Sequence, residues 1–168
     1  MSRCRRRAQT SLEVLFILAV ILTGVVVIVK PYMDSGGDII TDIHVKDAAE
    51  DACAYLNNGV LVNDSLHEPL NPIVVLSNYS SRGFRLRGLT TTRNGNVINV
   101  SVYITYRGSE KFWEDAGLSN PHAYLEDQIM EFMLRYISAR PNVSRNGDLL
   151  LFGGKRISIK VVVRGETG

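Results

Sequence analysis

Sixteen consecutive residues, Val14 to Val29, carry no charge, and only Thr23 and Gly24 relieve their apolar character. Just ahead of them Arg3, Arg5, Arg6 and Arg7 place four positive charges with no acid among them. Arginines held on the cytoplasmic side of a segment that inserts in lipid are the pattern of an export signal or a membrane anchor, with the basic end inside. From Gln9 to Val29 is 21 residues, which as a helix rise about 31 Å against a hydrocarbon core of roughly 30 Å. The sequence therefore predicts a spanning helix.

Segregated polarity also governs the rest of the 168-residue chain, a length that suits one globular domain beyond the anchor. Four of the 19 basic residues precede Gln9, leaving 15 against 17 acidic residues and a net charge of −2. A net-negative body speaks against nucleic-acid binding, although arginines near Tyr103 and Tyr106 are the kind of surface that binds single strands. Two cysteines, Cys4 and Cys53, lie too far apart in sequence for a C-x-x-C redox or metal pair. Cys53 reads as a small core residue.

Glu13 does not fit a plain anchor, because a carboxylate within lipid costs on the order of 2.5–3.5 kcal/mol or more. Ser35-Gly36-Gly37 offers an ordinary signal-peptidase site after the apolar run, but the more distinctive feature precedes it, at Ala8-Gln9-Thr10-Ser11-Leu12-Glu13. Arg6-Arg7 lacks the residues that follow a twin-arginine signal, and Cys4 lies on the wrong side of the run for a lipobox. An interfacial Glu snorkelling to the surface is the plainer account of Glu13.

The package of basic leader, small residue, Gln-x-Ser-x-Glu and apolar helix resembles the archaeal type IV pilin-like proteins with a class III signal peptide. Ala8, Gln9, Ser11 and Glu13 match that motif, which covers about the first 30 residues. The resemblance implies cutting by a prepilin peptidase between Ala8 and Gln9, retention of the helix, and polymerisation with apolar helices bundled in a filament core. A new α-ammonium on Gln9 and the Glu13 carboxylate would neutralise one another where the dielectric is low, making Glu13 a registration device.

The expected organisation is a basic leader at 1–8, an apolar helix at 9–33, an acidic stalk helix at 34–59 and an exported head at 60–168. Pro31 and the breakers from Asp34 to Asp38 predict a kink or interruption. The stalk helix follows to Asn57, with Val45, Ala49, Ala52 and Leu56 on one face. Its acids, Asp34, Asp38, Asp42, Asp47, Glu50 and Asp51 against Lys46, form either a solvated face or one half of a subunit contact. The other half would be Arg82, Arg85, Arg87, Arg93 and Arg107, in a 26-residue window without an acid.

The head reads as α+β: a small antiparallel sheet packed by one helix. Ile73 to Leu76 suggests a short strand, and Ile98 to Tyr106 alternates as a half-buried one. Phe84 to Thr92 should pair with it through Asn94-Gly95. A three-residue loop, Asn94 to Asn96, would set Leu86 opposite Ile104, Phe84 opposite Tyr106 and Arg87 beside Tyr103, whereas the two-residue turn Asn94-Gly95 would drive Arg87 into the apolar row. Ser109 is placed to cap a short helix through Trp113, and Asn120-Pro121 to start the main helix. That helix has Leu125, Ile129, Phe132, Met133, Tyr136 and Ile137 on its apolar face, widened by Met130 and Leu134, and ends before Pro141. Asp148 to Phe152, Gly153-Gly154 and Lys155 to Arg164 read as a closing hairpin.

Four N-x-[ST] sequons, at Asn63, Asn78, Asn99 and Asn142, are glycosylation candidates in an exported chain. His44, His67 and His122 stand singly, without a ligand or nucleophile pattern, and His67-Glu68 is a weak metal candidate. No enzyme and no cofactor are expected. The expected role is a structural subunit of a pilus-like surface filament with adhesion as its use, its partners being prepilin peptidase, other pilin subunits and the membrane. The alternatives are a bitopic surface protein that binds something without polymerising, and a conventionally secreted binding domain starting near Asp38.

Overall fold

A computed structural model describes the backbone from Ser2 to Glu166 and the side chains of 13–29 and 40–166. Ala8, Gln9 and Ser11 lie outside the described side chains, as do Asp34 and Asp38. The chain divides into two compact units, Met1–Ile39 and Ile40–Gly168.

One helix, α1, runs from Ser2 to Asn58. It passes through Pro31 and Gly36-Gly37 with no break in helical backbone, so the anticipated interruption between an apolar and a stalk helix is not present. In the first unit every large hydrophobic side chain from Val14 to Val29 is 44–71% exposed. The hydroxyl of Thr23 donates to the Ala19 carbonyl at 2.7 Å, which satisfies the one polar side chain of the run within its own helix. Among the described residues, no helix is long and apolar enough to cross a membrane. The stretch whose side chains are described, 13–29, is Glu13 and the apolar run after it, 17 residues in all, and rises about 26 Å.

In the second unit the remainder of α1 is followed by α2 (Asn71–Leu76), β1 (Arg85–Asn94), β2 (Val97–Arg107), α3 (Lys111–Asp115), α4 (Pro121–Ser138), β3 (Val143–Asn146), β4 (Leu149–Phe152) and β5 (Lys155–Glu166). The fold is α+β. The five strands form one sheet in the order β1-β2-β5-β4-β3. It is mixed and not antiparallel throughout as the sequence suggested, because β2 and β5 run parallel, from Val97 opposite Arg156 to Arg107 opposite Glu166. A parallel neighbour needs a crossover of a dozen residues or more, and α3, α4 and the β3-β4 hairpin supply it. The two strands with the most branched side chains thereby become inner neighbours, with Ile98, Val100, Val102 and Ile104 beside Ile157, Ile159, Val161 and Val163, all buried on one face.

Two helices, not one, supply the other layer of the core. From α1 come Val45, Ala48, Ala49, Ala52, Cys53 and Leu56, and from α4 come Leu125, Ile129, Phe132, Met133, Leu134 and Ile137. The alanines of α1 allow close approach, and α4 starts as expected, with the Asn120 side chain accepting from the Ala123 N–H at 3.3 Å and Pro121 in the first turn. Residues 73–76 are not a strand. They belong to α2, which Asn71-Pro72 opens, and Leu70, Ile73 and Val74 are buried at helical spacing. α3 begins after Glu110 without a side-chain cap, so Ser109 contributes only its carbonyl, to the Phe112 N–H.

The β1-β2 hairpin keeps charge out of the core by a device other than the expected loop. The turn is the two residues Gly95-Asn96, with Asn94 opposite Val97 and Gly95 at φ +61°. That register, carried onward, would put Arg87 opposite the buried Ile104. A β-bulge between Leu86 and Gly88 makes Arg87 the extra residue and brings Leu86 opposite Ile104. The pairing predicted for Leu86 is therefore present, and the bulge, not the loop, sets it.

Candidate functional site

With both helices on one face, the opposite face of the sheet is open to solvent. Its rows are read from the register: Arg85, Thr105 and Arg164; Gly88, Tyr103 and Val162; Thr90, Ser101 and Lys160; Thr92, Asn99, Ser158 and Leu149. Arg85, Arg87, Arg107, Arg156, Lys160 and Arg164 are all exposed on these three strands, with Glu166 the acid among them. Arg87, turned out by the bulge, donates through Nε to the Thr105 hydroxyl at 3.1 Å and pairs with Glu166 across β2. Tyr103 at the centre of the face is 42% exposed, and Leu149 and Leu151 on β4 are 38% and 37% exposed.

The sequence-predicted basic residues separate here. Arg85, Arg87 and Arg107 share the open face. Arg82 instead lies over the Phe112 ring, 3.4 Å from its centroid, a cation–π contact that covers the edge of the core. Arg93 donates to the Gly95 carbonyl at the hairpin tip. Arg156, Lys160 and Arg164 of β5 are members that sequence reasoning missed. Their spacing of four on a strand whose alternate residues are Ile157, Ile159, Val161 and Val163 already assigns them to one polar face, and only the parallel pairing brings that face beside β2.

The acidic residues of α1 also divide. Asp42 is half-buried and accepts from the Thr91 hydroxyl of its own sheet at 2.7 Å. Asp51 accepts from the Tyr136 hydroxyl, which raises the phenol's pKa; burial of the phenol acts in the same direction. Asp47 and Glu50 lie on the outward side of the helix, and Glu50 has an exposed partner in Lys46 at 3.7 Å, a pair worth little in water. Ile40 and Ile43, 42% and 50% exposed, precede them on that side.

Glu13 is exposed in the first unit. All four sequon asparagines are exposed: Asn63 and Asn78 in loops, Asn99 on the open sheet face and Asn142 just before β3.

The three histidines lie apart, each with its own partners. His67 stacks on Tyr55 at 4.4 Å, and its ring nitrogen and backbone N–H both meet Asp64, at 2.9 Å and 2.7 Å. These contacts hold the Asp64 carboxyl below its ordinary pKa, the backbone N–H first. The neighbouring Glu68 is held by Arg135 at 2.8 Å. His44 lies edge-on to Phe152 at 6.3 Å beside a small apolar pocket. His122 reaches Glu110 at 3.4 Å. Among the described residues, no group of three His, Cys, Asp or Glu could hold a metal ion. Burial, with Glu50 adding to it, pushes the Cys53 thiol up to about 12, so at neutral pH it is a packed thiol and no nucleophile.

Compared with known proteins, the chain matches no family model, no curated protein and no solved structure.

Proposed function

We propose that this protein is a pilin-like structural subunit of a surface filament: a leader that prepilin peptidase removes between Ala8 and Gln9, an apolar helix that first anchors and then polymerises, and an exported head. The observation that carries the reading is the apolar half of α1. Its large side chains from Val14 to Val29 are all exposed, while the second unit has a complete core of its own. Left in water, each such side chain forgoes on the order of 1.5–3 kcal/mol of burial, so the helix requires lipid or other copies of itself. Lipid before assembly and neighbouring helices after it satisfy the same surface. Glu13, one turn along from Gln9 and directly before the apolar run, then sets register by meeting the new N-terminus of Gln9.

The head serves as a surface for contact, including adhesion, and not as an enzyme. Its exposed sequon asparagines suit glycosylation outside the cell. The subunit thus resides first in the cell membrane with its head outside, then in an extracellular filament.

The test is the N-terminal peptide of the mature protein, taken by mass spectrometry from membranes and from sheared extracellular material. Sheared protein beginning at Gln9 is the expected result. An intact arginine-rich leader confined to membranes would mean a bitopic surface protein, and a chain starting near Asp38 a secreted one.

A further inference from the structure

We propose that the outward stripe of α1 in one copy docks on the open sheet face of a second copy, a contact between heads that rests on the filament reading and adds to it. The two surfaces lie on opposite sides of the same unit, because α1 covers one face of the sheet and the docking face is the other. They match in two respects.

Charge is the first. Asp47 and Glu50 mark the stripe, beside Lys46, while Arg85, Arg107, Arg156 and Lys160 mark the sheet face. Arg87 and Glu166 pair with each other, Arg164 lies 3.8 Å from Glu126, Asp51 accepts from Tyr136, and Asp42 and Arg82 are likewise held inside their own unit, so none of these is part of the contact.

Order along the surface is the second. On α1 the exposed pair Ile40 and Ile43 is followed by the acids about 11 Å further along the helix, at 1.5 Å per residue. On the sheet Leu149 and Leu151 stand beside Ser158 and Arg156, and Lys160 follows about 10 Å further along β5, at about 3.3 Å per residue. Isoleucines on leucines and carboxylates on Lys160, with Arg85 beyond, can therefore form together in one docking.

Such a contact is heterologous: a surface meets a different surface on the next copy, each docked copy still presents its own free face, and the series extends unless a rotation closes it. An open filament results where no rotation closes the series. Electrostatic complementarity of this kind sets partner and register more than affinity, leaving the main cohesion to the apolar helices.

The experiment uses the full-length protein in the cells that make it. A chain carrying both Glu50→Cys and Lys160→Cys, mildly oxidised in membranes and in sheared material, should give a ladder of dimers, trimers and higher species absent from either single variant. In parallel, Arg85→Glu with Lys160→Glu should lower sheared protein by at least about tenfold, since like charges brought together cost several kcal/mol. Adding Asp47→Lys and Glu50→Lys to the same chain should restore it. Arg85, Lys160 and Glu50 are exposed and Asp47 is half-buried, and protease resistance of the head checks that each variant folds.

Filaments that form normally without the ladder, or the reversed variant assembling at wild-type yield, would overturn the contact. So would loss of heparin binding by that variant with assembly intact, which would assign the face to an anionic polymer. A ladder in membranes with no wild-type protein in the sheared fraction would uphold the contact and remove the filament reading instead.

Discussion

Asn57 holds both polar groups of the Phe84 backbone: its amide nitrogen donates to the Phe84 carbonyl and its amide oxygen accepts from the Phe84 N–H, each at 2.8 Å. The last turn of α1 is thereby tied to the entry of β1, and a residue just outside the sheet is paired as though a strand lay beside it. Ser81 adds a bond from its hydroxyl to the same oxygen at 3.2 Å. Because Phe84 is buried, its backbone has little water to turn to. Asn57→Ala should cost about 2–6 kcal/mol, two orphaned groups at roughly 1–3 kcal/mol each, read as a lower unfolding temperature of the full chain in detergent. A loss below about 0.5 kcal/mol, the level of an ordinary surface change, would show that water replaces the amide.

Gly59 ends α1 in the left-handed region, at φ +63°, where glycine is the usual helix terminator. A Cβ there would strike the carbonyl oxygen of Tyr79, a backbone atom that cannot swing aside. Gly59→Ala should destabilise by more than the roughly 1–2 kcal/mol that left-handed backbone alone costs an alanine, measured by the same melting experiment. Gly95→Ala is the control, at a similar φ but with open space around its Cβ, and should cost less.

The Glu131 carboxylate receives Arg145 at 2.6 Å and 3.0 Å and Arg135 at 2.8 Å. These bonds, Arg145 foremost, hold its pKa below the ordinary 4.5. A carboxyl whose folded pKa is depressed contributes stability that is present above its unfolded pKa and is lost as pH falls through the folded one. Melting temperature should therefore fall as pH drops below about 4.5, and Glu131→Gln should flatten part of that acid limb while lowering stability at neutral pH. An acid limb identical in the variant would place the pH dependence elsewhere, Asp64 being the next carboxyl held low.

Asn99 stands on the open sheet face between Thr92 and Ser158, inside the surface assigned to the neighbouring head. A glycan there would block docking, whereas Asn63, Asn78 and Asn142 lie in loops. Glycopeptide mass spectrometry of sheared filaments should find Asn99 bare, whatever the occupancy of the other three. Substantial occupancy of Asn99 within filaments would contradict the proposed contact.

Residue types and spacing by themselves determined the apolar half of α1, the cap and apolar face of α4, the inward rows of β2 and β5, and the buried stripe from Val45 to Leu56. Each is a local property: a period of 3.6 or 2 says which side of an element is apolar whatever it meets. Only the tertiary structure decided what it meets. The parallel pairing of β2 with β5, the second helix over the core, and the bulge at Arg87 depend on neighbours far along the chain. Residues 73–76, too short to show a period, took their form from Asn71-Pro72 and from the core beneath Ile73 and Val74. The candidate surface divides in the same way, since the arginines of β1 and β2 were visible as an acid-free window, but Arg156, Lys160 and Arg164 joined them only when β5 took its place beside β2. Periodicity assigns a face and cannot assign a neighbour, because a neighbour is chosen by the burial that both surfaces gain together.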